Sequence, residues 1–404
     1  MKQNNINNNV NSKNKHFIAP FTLRNNDFLP VQGKGSYLFN EQNQKKLDYL
    51  CGIGVLLLGH CHPLLVKTLS VQLKKQWCVS NLYYTKPLID CAKTLCNLTF
   101  ATNCFFVNSG TEANELAIKI ARKYHIQKGI NKLEFISFNN GFHGRTIGAM
   151  SVSNGSEKTQ LEFGPMVPHC KIAAFNNINS VKKLISPTTA AIIIEPVQGK
   201  FGPKIADNNF LKQLRQICDE NDIILIFDEV QSGCGRTGHL FYYQHANVEP
   251  DILCAGKGLG GGLPIGAVLF GKKVQIAVQP NVHGSTFANN PMVTSVANKV
   301  LNIISNVQFL QNVVDMGEFF KHKLQKISAQ YPSVFSEVEG IGLTIGLKTK
   351  KEILPLLVSK ILQNGAICMQ GNGMIRLFPP LNTNLKEINL FISILEKSVK
   401  TLLV

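Results

Sequence analysis

The sequence predicts an α/β protein, with a large domain on a mostly parallel sheet covered by helices and a smaller α+β domain beside it. Two apolar runs, Ala190–Ile194 and Ile223–Phe227, carry no polar residue, as expected of strands covered on both faces. Segments with helical spacing separate the runs, which is the alternation of a layered α/β fold. The runs also stop on chemically active residues, Glu195 and Asp228, at the strand ends where open α/β sheets gather ligands.

At 404 residues the chain can bury a large core and is expected to divide. Residues 1–15 read as a disordered tail, 16–55 as the N-terminal part of the small domain, 56–305 as the large domain and 306–404 as its C-terminal part. A hydrophobic content of 44% is that of an ordinary globular protein. No apolar run has the length of a membrane span and no stretch reads as a signal peptide. The asparagine-rich start lacks the arginines of a transit peptide, so the expected location is cytoplasmic. The eleven cysteines are scattered without a Cys-x-x-Cys pair, as reduced thiols of a cytosolic protein would be. Cys51 and Cys61-His62 do not have metal-ligand spacing, and no metal is expected. The net charge of +17 would suit an acidic partner. Its lysines, however, are spread along the chain without an arginine-rich run, so neither nucleic acid nor membrane is expected as a partner.

Taken in order, Val31 to Tyr49 reads as short strands joined by turns. Gly59-His60-Cys61-His62-Pro63 opens a helix with Leu65, Leu69 and Leu73 on one face, and a second helix starts near Pro87. The strand at Cys104–Val107 stops at Ser109-Gly110-Thr111, and a helix is expected from Ala113. Small hydroxyl residues and a glycine before a helix offer free N–H groups to an anion, although an ordinary N-cap uses the same residues. Leu133–Phe138 leads into Phe142-His143-Gly144-Arg145. A helix is expected over about 207–220 and a strand over Ile252–Cys254, and the latter runs into Gly256-Lys257-Gly258. Glycines on both sides of Lys257 let a bulky group approach. A lysine desolvated at a strand end loses pKa and can attack a carbonyl. Because Gly258 follows the lysine, a nucleotide phosphate loop is not supported. Beyond His283-Gly284-Ser285-Thr286, helices near 291–304, 308–328 and 352–362, short strands around Val338 and Leu343, the extended Met374–Pro380 and a last helix make up the mixed lobe.

A lysine, an anion cradle, an aromatic face and a carboxylate at neighbouring strand ends suit a phosphorylated aldehyde such as pyridoxal 5'-phosphate. Here the sequence resembles the fold-type I class-III aminotransferases, and within them the acetylornithine aminotransferases, from about Gly33 to Pro380. The resemblance rests on Leu58–Pro63, Asn81–Tyr84, Asn108–Asn114, Phe142–Thr146, Glu195–Gly199, Phe227–Gln231, Lys257 with its glycines, and His283–Thr286. It implies a pyridoxal-phosphate enzyme that moves the terminal amino group of N-acetylornithine to 2-oxoglutarate in arginine biosynthesis. Related ω-amino acid transaminases (succinylornithine, ornithine, 4-aminobutyrate), or an aminomutase, are the alternatives. A basic nucleic-acid binder on an inactive scaffold is disfavoured by the retained Lys257 and Asp228.

The resemblance also implies roles. Lys257 bonds to the cofactor aldehyde, and Asp228 holds the ring nitrogen. Gln231 sits near the ring hydroxyl, Phe142 stacks on the ring and His143 lies beside it. Ser109, Gly110 and Thr111 hold the phosphate, completed by Thr286 from a partner subunit, so a homodimer is implied. Arg145 takes the distal substrate carboxylate and Arg376 the carboxylate next to the reacting carbon, with Glu195 and Ser285 nearby. Three departures stand out. Lys200-Phe201 replaces the family's Glu-Gly after Gly199. Ala288-Asn289 replaces Gly-Gly before Asn290-Pro291, and Thr22, beside Phe21, stands where an aromatic is usual. At Lys200 two orientations are open, inward with a like charge added to Arg376, or outward to solvent.

Overall fold

The computed structural model describes residues 17–19, 21, 28–154 and 162–403. The expected tail and Thr22 lie outside the described residues.

Seven strands form the central sheet, in the order Asn103–Val107, Gly266–Phe270, Ile252–Ala255, Ile224–Asp228, Thr189–Ile194, Glu134–Phe138 and Cys170–Ala173. Pairing is parallel except at Gly266–Phe270, which runs antiparallel to both of its neighbours. This is the mostly parallel sheet expected. Successive side chains of a strand point to opposite faces, so each apolar run feeds two cores. Ile192, Ile194, Leu225, Phe227 and Leu253 join one cluster, and Ala191, Ile193, Ile224, Ile226 and Ile252 join the other. The helix Gly110–Gln127 covers the second face with Ala113, Leu116, Ala117 and Ile120. On the first face lie Asn208–Glu220, through Phe210, Leu211 and Leu214, and Pro291–Ile304, through Val296 and Val300.

A second, antiparallel sheet is ordered Phe335–Ile341, Thr344–Thr349, Met374–Leu377 and Met369–Gly371, with Gly346 opposite Arg376. The N-terminal strands Gln32–Lys34, Tyr37–Phe39 and Lys45–Asp48 form a third sheet, completed in parallel by Ala366–Ile367. A separate core unites these ends of the chain. Tyr49 stacks on Phe391, with ring centroids 5.2 Å apart, and meets the edge of Phe320 at 5.6 Å. All eleven cysteines are free, as expected of reduced thiols, although Cys61 and Cys78 are exposed. No metal-holding cluster of His, Cys, Asp or Glu occurs among the described residues, and none of their helices is long and apolar enough to cross a membrane.

Candidate active site

The parallel strands bring their carboxyl ends to one edge of the sheet, and the site is built there. Asn103–Val107 ends at Asn108-Ser109. The Ser109 hydroxyl accepts from the Glu112 N–H at 3.1 Å, and the Glu112 carboxylate accepts from the Asn108 N–H at 2.6 Å. This reciprocal cap starts the helix at Gly110, three residues earlier than the apolar spacing suggested. As the first helical residues, Gly110 and Thr111 have N–H groups with no acceptor in their own helix, pointing out along the positive end of its dipole. A side chain at Gly110 would meet Val230 Cγ1 at 2.5 Å, and one at Gly144 would meet Thr111 Oγ1 at 2.6 Å. Only glycine lets the Phe142–Gly144 turn close this tightly on the helix start.

At the end of its strand, Asp228 is buried and fixed by three donors. Its Oδ2 accepts from Asn114 Nδ2 at 2.7 Å and pairs with His143 Nδ1 at 2.8 Å, and its Oδ1 accepts from the Val230 N–H at 3.0 Å. Burial works to lower the His143 pKa, but the bond and charge of Asp228 outweigh it and hold the imidazole above its ordinary value. Asn114, unassigned from sequence, also donates to the His143 carbonyl at 2.7 Å. Its signal was legible as a lone amide in an apolar helix stripe, between Ala113 and Leu116.

Lys257 follows the neighbouring strand and opens a short 3₁₀ turn, Lys257–Gly260, at a φ of 43°. A side chain on the preceding Gly256 would lie 3.4 Å from the Gly110 Cα, so lysine turn and helix start are in direct apposition. Burial lowers the Lys257 pKa; the charges of Asp228 and Glu195 oppose this, and Arg376 reinforces it. Glu195 is pushed up to about 7, chiefly by burial, while its Oε2 accepts from the Phe142 N–H at 2.8 Å. Arg376 is lowered to about 10 by burial, against the charge of Glu195. Its guanidinium lies 5.0 Å from the Phe378 ring, and its Nε is buried without a partner.

The other sequence candidates are placed less centrally. Gln231 lies against Gly199, whose Cβ, if present, would overlap the Gln231 Oε1. Ser285 accepts from Asn108 Nδ2 at 2.9 Å and so stays beside the helix start, whereas Thr286 is exposed on the surface. Arg145 is exposed, with its guanidinium 5.8 Å from the Phe142 ring. Lys200 is turned in from solvent, with Nζ 4.7 Å from the same ring, but the cation it adds its charge to is Arg145 and not Arg376 as the inward expectation held. Asn289 takes a φ of 58°, as a glycine would, and its side chain accepts from the Phe106 N–H at 3.2 Å. The Ala288-Asn289 departure therefore pins this loop to the edge of the sheet. Arg236, unread from sequence, is buried and donates to the Leu343 and Pro379 carbonyls at 3.1 and 2.5 Å. It thereby ties the sheet edge to the segment that follows Arg376.

Residues 22–399 match the family model for class-III aminotransferases. The chain belongs to this family. Succinylornithine transaminase from Photorhabdus laumondii is 40% identical over 380 residues, covering 93% of this chain and 94% of its own length. The Salmonella typhi enzyme of the same name is 41% identical over 367 residues, 89% of each chain. Among solved structures, ornithine aminotransferase from Toxoplasma gondii superimposes with a TM-score of 0.91 at 27% identity, covering 96% of this chain and 94% of that one. N-acetylornithine aminotransferase from Stenotrophomonas maltophilia does so at 0.82 and 30% identity, covering 96% and 98%.

The cofactor of this class-III aminotransferase is pyridoxal 5'-phosphate, and the residues present fit it. The free N–H groups at Gly110 and Thr111 suit a phosphate. The fixed Asp228 carboxylate suits a protonated ring nitrogen, and the desolvated Lys257 amine suits the aldehyde.

Proposed function

We propose that the enzyme moves the terminal amino group of N-acetylornithine to 2-oxoglutarate, giving glutamate and N-acetylglutamate semialdehyde. The observation that carries this reading is the grouping of Lys257, Asp228 and the Gly110 helix start at one sheet edge, with Arg145 and Arg376 beside it. When bound, the cofactor supplies an electron sink for the substrate carbon. The chain does the rest. Ser109, Gly110 and Thr111 hold the phosphate, Asp228 keeps a proton on the ring nitrogen, and Asn114 and His143 orient Asp228. Phe142 packs on the ring and Gln231 lies near its hydroxyl. The Lys257 amine would move a proton between carbon atoms of the bound reactants, taking it from one and returning it to another. Arg145 orients the distal carboxylate and Arg376 the carboxylate next to the reacting carbon, each as a bidentate fork. Glu195 and Ser285 line the approach. We place the enzyme in the cytoplasm as a homodimer, with the partner's Thr286 completing the phosphate cradle.

Succinylornithine is the second reading, favoured by the 40% identity with succinylornithine transaminase. A panel of acetylornithine, succinylornithine, ornithine and 4-aminobutyrate, read as glutamate formed from 2-oxoglutarate, separates the donors. Turnover in the absence of 2-oxoglutarate would indicate an aminomutase instead. Lys257→Ala should lose the borohydride-trapped cofactor while still binding the cofactor reversibly. Equal trapping in the variant would remove Lys257 from its role.

A further inference from the structure

Two cationic side chains share one aromatic ring at the mouth of the site. Lys200 Nζ lies 4.7 Å and Arg145 Cζ 5.8 Å from the Phe142 ring centroid, and Lys200 is also 5.1 Å from the Phe201 ring. A lysine stem can carry its ammonium out to water, yet this one lies half-buried between two aromatic rings. Among the described residues no carboxylate forms an ion pair with Lys200, Arg145 or Arg376. The acid nearest in effect is Glu195, whose Oε2 is already engaged by the Phe142 N–H. Attraction to an aromatic face offsets part of the repulsion between two cations, and an anion placed between them offsets far more. The second pole of the site is separate, since Arg376 lies on Phe378 and against Met369 Sδ at 3.5 Å. The Lys200 backbone and the Arg376 side chain both come close to Gly371. A side chain at Gly371 would meet Arg376 Cδ at 2.7 Å and the Lys200 carbonyl at 3.4 Å.

We propose that Lys200 and Arg145 form a two-cation subsite for a substrate carboxylate, which makes Lys200 a specificity-determining residue that favours ligands carrying a carboxylate at each end. This rests on the reading of Arg145 and Arg376 as carboxylate-binding residues, and it adds a third cation that the family's usual glutamate cannot supply. A dicarboxylate satisfies both poles, whereas a monocarboxylate leaves one of them uncompensated. The energetic difference comes from the unpaired pole as much as from the new contact.

The test is equilibrium binding of glutarate and of pentanoate to the holoenzyme by calorimetry, which is independent of the amino donor used in turnover. The affinity ratio of glutarate to pentanoate should fall about tenfold in Lys200→Met and in Lys200→Gln. It should fall further in Lys200→Glu and be largely kept in Lys200→Arg. An unchanged ratio in Lys200→Met and Lys200→Gln, with the cofactor still bound, would overturn the proposal. So would a ratio that collapses in Arg145→Met while standing intact in both Lys200 variants. If the ratio falls but neither acylornithine is turned over, the assigned amino donor fails and the subsite stands.

Discussion

The amine of Lys257 is set by three charged neighbours whose signs differ, and this makes its titration predictable in direction. Burial lowers its pKa, Asp228 and Glu195 resist, and Arg376 assists. Only the neutral amine attacks an aldehyde, so cofactor attachment to the apoprotein should quicken as pH rises and level off below the range of an ordinary lysine. Glu195→Gln removes an anion that favours the proton, which should move the midpoint to lower pH. Arg376→Met removes a cation that disfavours the proton, and the midpoint should move to higher pH. Stopped-flow absorbance of the attached cofactor reads both shifts. Shifts in the same direction would show that Lys257 does not feel these charges. The positions of Lys257 and Asp228 at strand ends were legible from sequence because each follows an apolar run. Asn114 and Arg236 were not assigned a role, since Asn114 works through partners 29 and 114 residues away and Arg236 through partners 107 and 143 residues away. The orientation of Lys200 was equally closed to sequence, because Phe142 and Phe201 decide it only after the chain has folded.

Among the elements, the helix Gly110–Gln127 has the most exacting start. Ser109 caps it, Glu112 closes the cap, and Gly110 leaves room for Val230. Gly110→Ala would place a methyl 2.5 Å from Val230 Cγ1. That overpacking should cost about 1–3 kcal/mol in denaturant unfolding of the apoprotein. It should also weaken cofactor retention, because the same shift moves the N–H groups proposed to face the phosphate. Ser109→Ala should cost roughly 1 kcal/mol through loss of the cap. If Gly110→Ala unfolds and retains cofactor like the parent, the helix start does not hold the phosphate. The runs Ala190–Ile194 and Ile223–Phe227 were legible as strands because they hold no polar residue, as fits the burial of every residue in them. The partners of a strand are a different matter. Gly266–Phe270 is as apolar as its neighbours, and nothing in its residues encodes antiparallel insertion beside Asn103–Val107. The two-residue strand Ala366–Ile367 was missed because it is too short for periodicity to register, and its place is set by Lys45–Asp48 more than 300 residues earlier.

On the scale of the whole molecule, the surface that holds Thr286 exposes several large apolar side chains. Leu82, Tyr83 and Tyr84 are 85%, 68% and 88% exposed, and Phe287, next to Thr286, is 61% exposed. The two loops are tied together, since Asn81 Nδ2 donates to the Ser285 carbonyl at 2.6 Å and Asn289 Nδ2 to Asn81 Oδ1 at 3.2 Å. They therefore bring exposed apolar side chains of both loops onto one region of the surface, and a large exposed apolar patch is the kind of feature that marks association. Because Thr286 projects from this patch while its neighbour Ser285 is bonded to Asn108 of the same chain, association would carry Thr286 toward a second copy. Sedimentation should find a dimer. Tyr84→Asp combined with Phe287→Asp should give monomers by placing charge in the contact, and those monomers should lose pyridoxal phosphate on dialysis. If the proposed dimer forms, Thr286→Val should leave it intact and still hold the cofactor less tightly, since the hydroxyl proposed for the phosphate cradle is gone. Monomers that keep the cofactor as tightly as the parent would show that each protomer builds its phosphate cradle alone.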